Sequence, residues 1–329
     1  MKSPVAEILP NVFRITLPLP GKRPGPVNVY LFRGSECALV DTGTRRTVRV
    51  LEKELRALGV SFRDIGIIAI THGHLEHYGA ARIIARESGG RVIVAASAAD
   101  RRWIERGLDA PWRRYLEYYT LMGVPAGHRI LLGALQGIFS FYAQTCAVER
   151  FLEDGEDVSL GERRARVIAT PGHTRGSVCL YLEDESALFS GDHILRHITP
   201  NAFVMLDDAP GLPTRMSQLE YFESLRKVEL LGPRVVHPAH GRPITDLAAT
   251  LAIYSRQFTA RRERILSLIG DGCHTPYSIG RRLFPGIGGA RLPLELYLAV
   301  SEVFTHLQVL EKDGRVKAER RRGTMHYSA

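Results

Sequence analysis

Apolar and polar residues alternate along "VFRITLPL" (12–19), apolar residues dominate "VNVYLF" (27–32) and "CALVDTG" (37–43), and the turn-rich "PGKRPGP" separates the first two stretches. A period of two predicts half-buried strands, and short apolar runs bounded by Gly and Pro predict strands covered on both faces. "TVRVLEKELRALG" then changes to the spacing of an amphipathic helix. It leads to a buried strand "IGIIAIT", a second helix "GAARIIARESGG" and a strand "RVIVAA". Alternating strands and helices of this kind predict a layered α/β fold.

Residues 98–150 interrupt the alternation with a largely helical stretch rich in Trp, Tyr and Phe. Strands return at "RARVIAT", "SVCLYLE" and "ALFSGD", followed by the helix "PTRMSQLEYFESLRKVELLG" and the strand "RVVHPAHG". After about residue 250 the pattern shifts again: "RRERILSLIGDG", "YSIGRRLF" and "YLAVSEVFTHLQVLEKDG" carry helical spacing, and "RVKAERRRGTMHYSA" reads as a basic hairpin. The expected organisation is a domain over residues 1–250 with a helical insertion at about 98–150. A small domain with a winged-helix layout follows over 251–329.

Composition narrows this only a little. With 45% hydrophobic and 24% charged residues, the chain reads as an ordinary globular protein. No apolar run approaches the roughly 18 residues a bilayer span needs, and "MKSPVAEILP" lacks the apolar centre of a signal peptide, so a cytoplasmic protein with no membrane partner is expected. Cys37, Cys146, Cys179 and Cys273 have no CxxC spacing, which predicts reduced thiols. The net charge of +9 would suit nucleic acid, but the excess is C-terminal: 13 Lys/Arg stand against 7 Asp/Glu between Ser255 and Ala329.

Candidate chemistry concentrates in "ITHGHLEHYGA" (70–80), where His72, His74, Glu76 and His77 follow a buried strand. Neutral imidazole and carboxylate are ligands that Zn²⁺ and similar ions accept at about 2.0–2.2 Å. Further candidates each stand just past an apolar strand and beside a glycine: His173 in "TPGHTRG", Asp192 in "FSGDHIL" and His240 in "HPAHG". Residues placed in this way gather at one edge of a sheet.

In order and separation, "LVDTG", "THGHLEH", "TPGHTRG", "FSGDH" and "PAHG" resemble the signature of the metallo-β-lactamase superfamily over about residues 10–245. The resemblance implies an αββα sandwich. It also implies that His72, His74 and His173 hold a first divalent ion, that Asp192 bridges, and that Glu76, His77 and His240 hold a second. Asp41 would orient ligands by fixing an imidazole tautomer. One or two ions are expected, zinc foremost, with iron and manganese as alternatives. Glu76 departs from the aspartate usual in that family, and its extra methylene requires a retracted loop or a different coordination. A bound cation lowers the pKa of its water from 15.7 to about 7, and the resulting hydroxide is the expected nucleophile. Glu76 can accept a hydrogen bond from it, which makes Glu76 and Asp192 the candidate catalytic residues.

The insertion would cover such a site, with Met122, Phe139, Phe141 and Tyr142 beneath a lid able to receive an acyl chain. Apolar residues at helical spacing are also what a plain helical core requires. Arg101, Arg102, Arg106, Arg113 and Arg114 can meet phosphates through bidentate guanidinium contacts, although such arginines are commonly just solvated. His193, His197 and Asn201 follow Asp192 and are candidates for the substrate pocket.

The C-terminal part resembles the winged-helix domain of lactamase-β-like hydrolases, a branch that includes an endoribonuclease. Its third helix opens "LPLELYLAVSEVF", with Glu295 and Glu302 and no side chain suited to reading base edges, so sequence-specific DNA is not the expected partner. RNA phosphates and a homodimer are the other candidate partners.

These features predict a metal-dependent hydrolase of a small-molecule ester or thioester, such as an acyl-CoA or acyl-carrier thioester. An endoribonuclease is the first alternative, followed by a lactonase or glyoxalase-II-like hydrolase and a mononuclear-iron dioxygenase. A flavodiiron centre is disfavoured because His74 stands where that pattern places glutamate.

Overall fold

The computed structural model describes residues 4–20, 24–107, 111–129, 143–196, 198–200, 202, 204–206, 210–286 and 292–329, with side chains in the last stretch from residue 295. The first sheet has the spatial order of its chain: β1 (Val5–Leu9), β2 (Val12–Leu17), β3 (Val27–Phe32), β4 (Cys37–Val40), β5 (Ile65–Ala69), β6 (Ile93–Ala96) and β7 (Arg150–Phe151). Neighbours from β1 to β4 run antiparallel and those from β4 to β7 parallel. The second sheet contains β8 (Asp157–Leu160), β9 (Arg163–Ala169), β10 (Val178–Leu182), β11 (Ala187–Gly191) and β12 (Val235–Pro238), in the order β12-β11-β10-β9-β8.

The period-two pattern decides which layer each side chain enters. Tyr30 and Phe32 face Val167, Leu180 and Phe189 in the core between the sheets. Leu31 and Leu39 point the other way, onto α1 (Val48–Ala57) and α3 (Ala81–Glu87), through Leu51, Leu55 and Ile84. On the far side, Ile168, Cys179 and Leu188 pack under α6 (Ser217–Leu231) and α7 (Leu247–Gly270), through Tyr221, Leu225, Tyr254 and Phe258. The layers are therefore helix, sheet, sheet, helix, as expected.

Within the insertion, α4 (Arg101–Arg106) and α5 (Trp112–Leu121) form beyond the short α2 (Leu75–Tyr78). The C-terminal part contains α8 (Pro276–Leu283), α9 (Leu292–Lys312) and a hairpin of β13 (Lys317–Arg321) and β14 (Thr324–Ser328). Arg322 and Gly323 turn the hairpin with φ of 47° and 84°, the signs of the tight turn that matches strand twist. α8 starts on a reciprocal cap between Thr275 and Ser278, with Pro276 in its first turn.

Two expectations change here. The boundary at 250/251 falls inside α7, whose Tyr254 and Phe258 pack on the second sheet while Ile265, Leu268 and Ile269 pack with α8 and α9. The insertion is also bound into the C-terminal core: Tyr115, Tyr118, Tyr119, Leu121 and Met122 pack with Val300, Val303, Phe304 and Leu307. Met122 is 0% exposed there, so it is core rather than the floor of an acyl pocket. Phe139, Phe141 and Tyr142 lie outside the described residues. All four cysteines are free thiols. No described helix is long and apolar enough to cross a membrane.

Candidate metal centre

Strand direction brings the candidate residues together. β4 and β5 run parallel, and so do β11 and β12; two antiparallel steps through β10 give β9 the sense of β11. The C-terminal ends of β5, β9, β11 and β12 deliver His72, His173, Asp192 and His240, and the end of β4 delivers Asp41. The two sheets are tied at this edge by Val178 N–H to Thr71 O (2.9 Å) and by Asn28 N–H to Ala239 O (2.7 Å).

Two groups of potential ligand atoms result, each mutually within 4.8 Å: His72, His74, His173 and Asp192, and Glu76, His77, Asp192 and His240. Asp192 belongs to both. In the first group, His74 Nδ1 lies 3.0 Å from His72 Nε2 and 3.1 Å from His173 Nε2. Three ring nitrogens at tetrahedral corners about 2.0–2.1 Å from a cation would be roughly 3.3 Å apart, close to what is observed. In the second group, His77 Nε2, His240 Nε2 and Asp192 Oδ1 are buried with no hydrogen-bond partner. Buried polar atoms without partners are costly, and three of them facing one another fit a cation. Glu76, in the first turn of α2, reaches this group despite its extra methylene.

Neighbouring groups orient the rings. Asp41 accepts from Thr71 N–H at 2.8 Å and from the Thr71 hydroxyl at 2.9 Å, and lies 2.7 Å from His77 Nδ1. A proton on His77 Nδ1 satisfies Asp41 and leaves Nε2 as a lone pair toward Asp192, 3.8 Å away. Pro26 O lies 2.9 Å from His240 Nδ1 and aims Nε2 inward in the same way. Asp41 holds φ of 62°, a left-handed conformation that Asp tolerates better than most residues.

Electrostatics favour the ligating forms of His72, His74 and Asp192 and, without a cation, the protonated form of His77. Burial pushes His72 and His74 well below the usual imidazole range, and the crowd of histidines pushes them further. Burial also acts to lower His77, but Asp41 and Asp192 outweigh it and hold it well above that range. Burial would raise the Asp192 carboxyl, yet His240, His77 and His173 hold it far below the carboxylate range. A cation would take over from the positive charge that His77 brings to Asp192, since metal binding releases protons from its ligands.

Asp100 went unrecognised in the sequence because an aspartate before a helix reads as a cap. It occupies that position on α4 but makes no cap bond. Its carboxylate instead accepts from Gly73 N–H (2.8 Å), Thr174 Oγ1–H (2.7 Å) and Gly176 N–H (2.7 Å), joining the loop of His72 and His74 to the loop of His173. A Cβ at Gly176 would meet Asp100 Cγ at 2.7 Å, so that position requires glycine. Burial holds Asp100 above the usual carboxyl range, against the pull of those three bonds.

The remaining candidates separate. His193 is 1% exposed, its ring edge-on to Tyr221 at 5.2 Å, and faces the helix layer rather than solvent. His197 and Asn201 lie outside the described residues. Arg101 is exposed and paired with Glu105 at 2.9 Å, and Arg106 and Arg113 are exposed. Arg114 is buried, bonded to Glu117 and Gly211 O, and is not a solvated phosphate-binding arginine.

Comparison with known proteins agrees with this geometry. The family profile described as "Metallo-beta-lactamase superfamily" matches residues 23–240. The chain is 26% identical over 324 residues to the probable metallo-hydrolase YqjP of Bacillus subtilis, covering 96% of this chain and 97% of that protein. It is 30% identical over 187 residues to the atrochrysone carboxyl ACP thioesterase AacuM of Aspergillus aculeatus, covering 54% of this chain and 55% of that protein. A solved metallo-beta-lactamase family protein of Thermus thermophilus superposes with a TM-score of 0.80 at 27% identity, covering 98% of this chain and 99% of that one.

Proposed function

Because the chain belongs to the metallo-beta-lactamase superfamily and is a metallohydrolase of that fold, we propose that it cleaves a small acyl ester or thioester, with an acyl-carrier or acyl-CoA thioester foremost. His72, His74, His173 and Asp192 hold one ion, and Glu76, His77, Asp192 and His240 hold a second, zinc in the first instance. The observation that carries the assignment of ions is the pair of donor groups sharing Asp192, with buried ring and carboxylate atoms left unsatisfied. The thioesterase name of one relative supports the leaving group.

Bound divalent metal supplies Lewis acidity and a water that ionises near neutral pH. This chain's residues prepare the site for it. Asp41 fixes the His77 tautomer, and Thr71 donates to Asp41 while its oxygen lies 3.2 Å from His72 Nδ1, which leaves His72 Nε2 for coordination. Asp100 sets the separation of the two ligand loops. Glu76 is the half-buried carboxylate of the set, placed to accept a proton from an attacking water at the rim. The C-terminal helices and hairpin are read as a winged-helix module.

The test is a substrate panel on the full chain loaded with Zn²⁺: acyl-CoA, acyl-carrier protein, an aryl ester, a β-lactam and single-stranded RNA. Release of free thiol, lost on chelation and in Asp192→Asn, is the expected result. Cleavage confined to RNA or to the β-lactam would overturn the proposed substrate class.

A further inference from the structure

α9 holds the third-helix place of the expected winged-helix layout but lacks the exposure of a recognition helix. From Ala299 to Leu310 no residue is exposed, and Ser301 is 0% exposed. Polar groups on a buried helix need partners, and several of these find theirs on the segment that follows Asp192. Ser301 Oγ accepts from Val204 N–H at 2.8 Å, while Tyr297 Oη donates to Val204 O at 2.6 Å. Both backbone polar groups of one loop residue are therefore held by one helix. Gln308 Nε2 donates to Pro213 O (3.0 Å) and to Arg215 O (3.2 Å). Val204 and Leu206 insert their side chains into the same core.

The clamped segment in turn holds the loop of His173. Met205 receives Arg175 twice: the backbone N–H meets its sulfur at 3.0 Å and the guanidinium meets its carbonyl at 3.0 Å. Arg215 Nη2 donates to Thr174 O at 3.3 Å. Two routes thus leave α9, through Val204–Met205 and through Gln308–Arg215, and both end on the residues that directly follow His173. Asp100 grips the opposite side of the same turn at Thr174 and Gly176.

We infer that Tyr297, Ser301 and Gln308 are positioning residues for the His173 loop, so that the C-terminal part tunes the affinity of the first ion from within the fold. The inference rests on His173 being a ligand of that ion. Freezing the loop in its ligating geometry lowers the ordering cost at binding, which is how partners beyond the ligands affect metal affinity.

The experiment is Zn²⁺ affinity of the full chain by chelator competition, with amide exchange of the peptide spanning His173–Gly176 as a second readout. Tyr297→Phe and Ser301→Ala should each weaken Zn²⁺ binding at the site that includes His173 by roughly tenfold, the low end for such partners, and should speed exchange at that peptide. Leu310→Ala, buried in the same core, is the control: it should lower the melting temperature without moving the affinity. Unchanged affinity and exchange in both clamp variants would overturn the inference, as would an equal loss of affinity in Leu310→Ala, which would make the effect one of general stability. His173→Ala separates the two levels. If it retains full zinc affinity, the ligand assignment itself fails; if it loses the ion while the clamp variants keep it, only the positioning role fails.

Discussion

The ligand-bearing edge of the sandwich and the core around α9 are both almost fully buried, yet they use burial in opposite ways. At the sheet edge, His72, His77, Asp192 and His240 are polar and buried, and the last three leave atoms short of partners, an arrangement that only a further charge makes favourable. Around α9, Val300, Val303, Phe304 and Leu307 meet Tyr118 and Met122 in a core whose packing is mainly apolar, and its few polar atoms are scattered rather than gathered at one point. The difference separates two kinds of demand on the sequence: one region requires particular atoms, the other only volume and a few hydroxyls.

The largest expected effect tests whether the two regions are separate at all. Phe304 is 2% exposed and lies edge-on to Tyr118 at 6.1 Å. Phe304→Ala should cost about 3–5 kcal/mol, the usual range for emptying an aromatic site. Because α7 enters both cores and α5 is stitched into the second, the loss should appear as one cooperative unfolding transition shifted downward. Two resolved transitions, with only the lower one moved, would show the C-terminal part to be an independent unit and break the comparison as drawn.

Legibility in the sequence divides along the same line. His72, His74, Glu76, His77, His173, Asp192 and His240 could be picked out because metal chemistry restricts residue type and strand ends fix their place. Periods of two and 3.6 pointed to a layered α/β fold, and the αββα order came from the resemblance carried by the strand-end motifs. Asp100 was hidden because its type and position satisfy a commoner role, that of helix cap. Tyr297, Ser301 and Gln308 were hidden because one hydroxyl or amide on an apolar helix says nothing about which loop lies opposite. The insertion read equally well as a lid or as core, since both require aromatic residues at helical spacing; tertiary packing chose core for Met122.

The middle-sized effect sharpens the contrast by removing no atom. In Asp100→Asn the amide nitrogen must replace one carboxylate oxygen, yet Gly73 N–H, Gly176 N–H and Thr174 O–H all donate there. One donor then faces another donor, and the two ligand loops shift apart. Zinc affinity should fall by about 10- to 100-fold, the range seen when partners of metal ligands are changed, and the metal-free protein should lose about 1–3 kcal/mol for the unpaired buried donor. Affinity equal to that of the unmodified chain would place Asp100 among merely structural residues.

The smallest effect at neutral pH concerns a buried imidazole on the apolar side of the comparison. His306 is 2% exposed; burial first, and then Arg262 and Arg261, push it down to about 3 from the ordinary 6.5. The folded state keeps it neutral where the unfolded chain would take up a proton, so stability is intact above about pH 6.5 and falls with pH toward 3. One such group should cost about 2 kcal/mol at pH 5 and only about 0.2 kcal/mol at pH 7. His237, pushed down to about 4 by burial and by Arg14, adds the same trend from the sandwich side. His306→Gln should therefore flatten the acid limb of the stability curve without altering its neutral plateau by more than the loss of packing. Urea titrations at pH 7 and pH 5 measure it. A gap between the two pH values that stays the same in His306→Gln would mean that acid lability arises wholly at the sandwich and its ligand edge, and that the core around α9 is as indifferent to protons as its apolar side chains are.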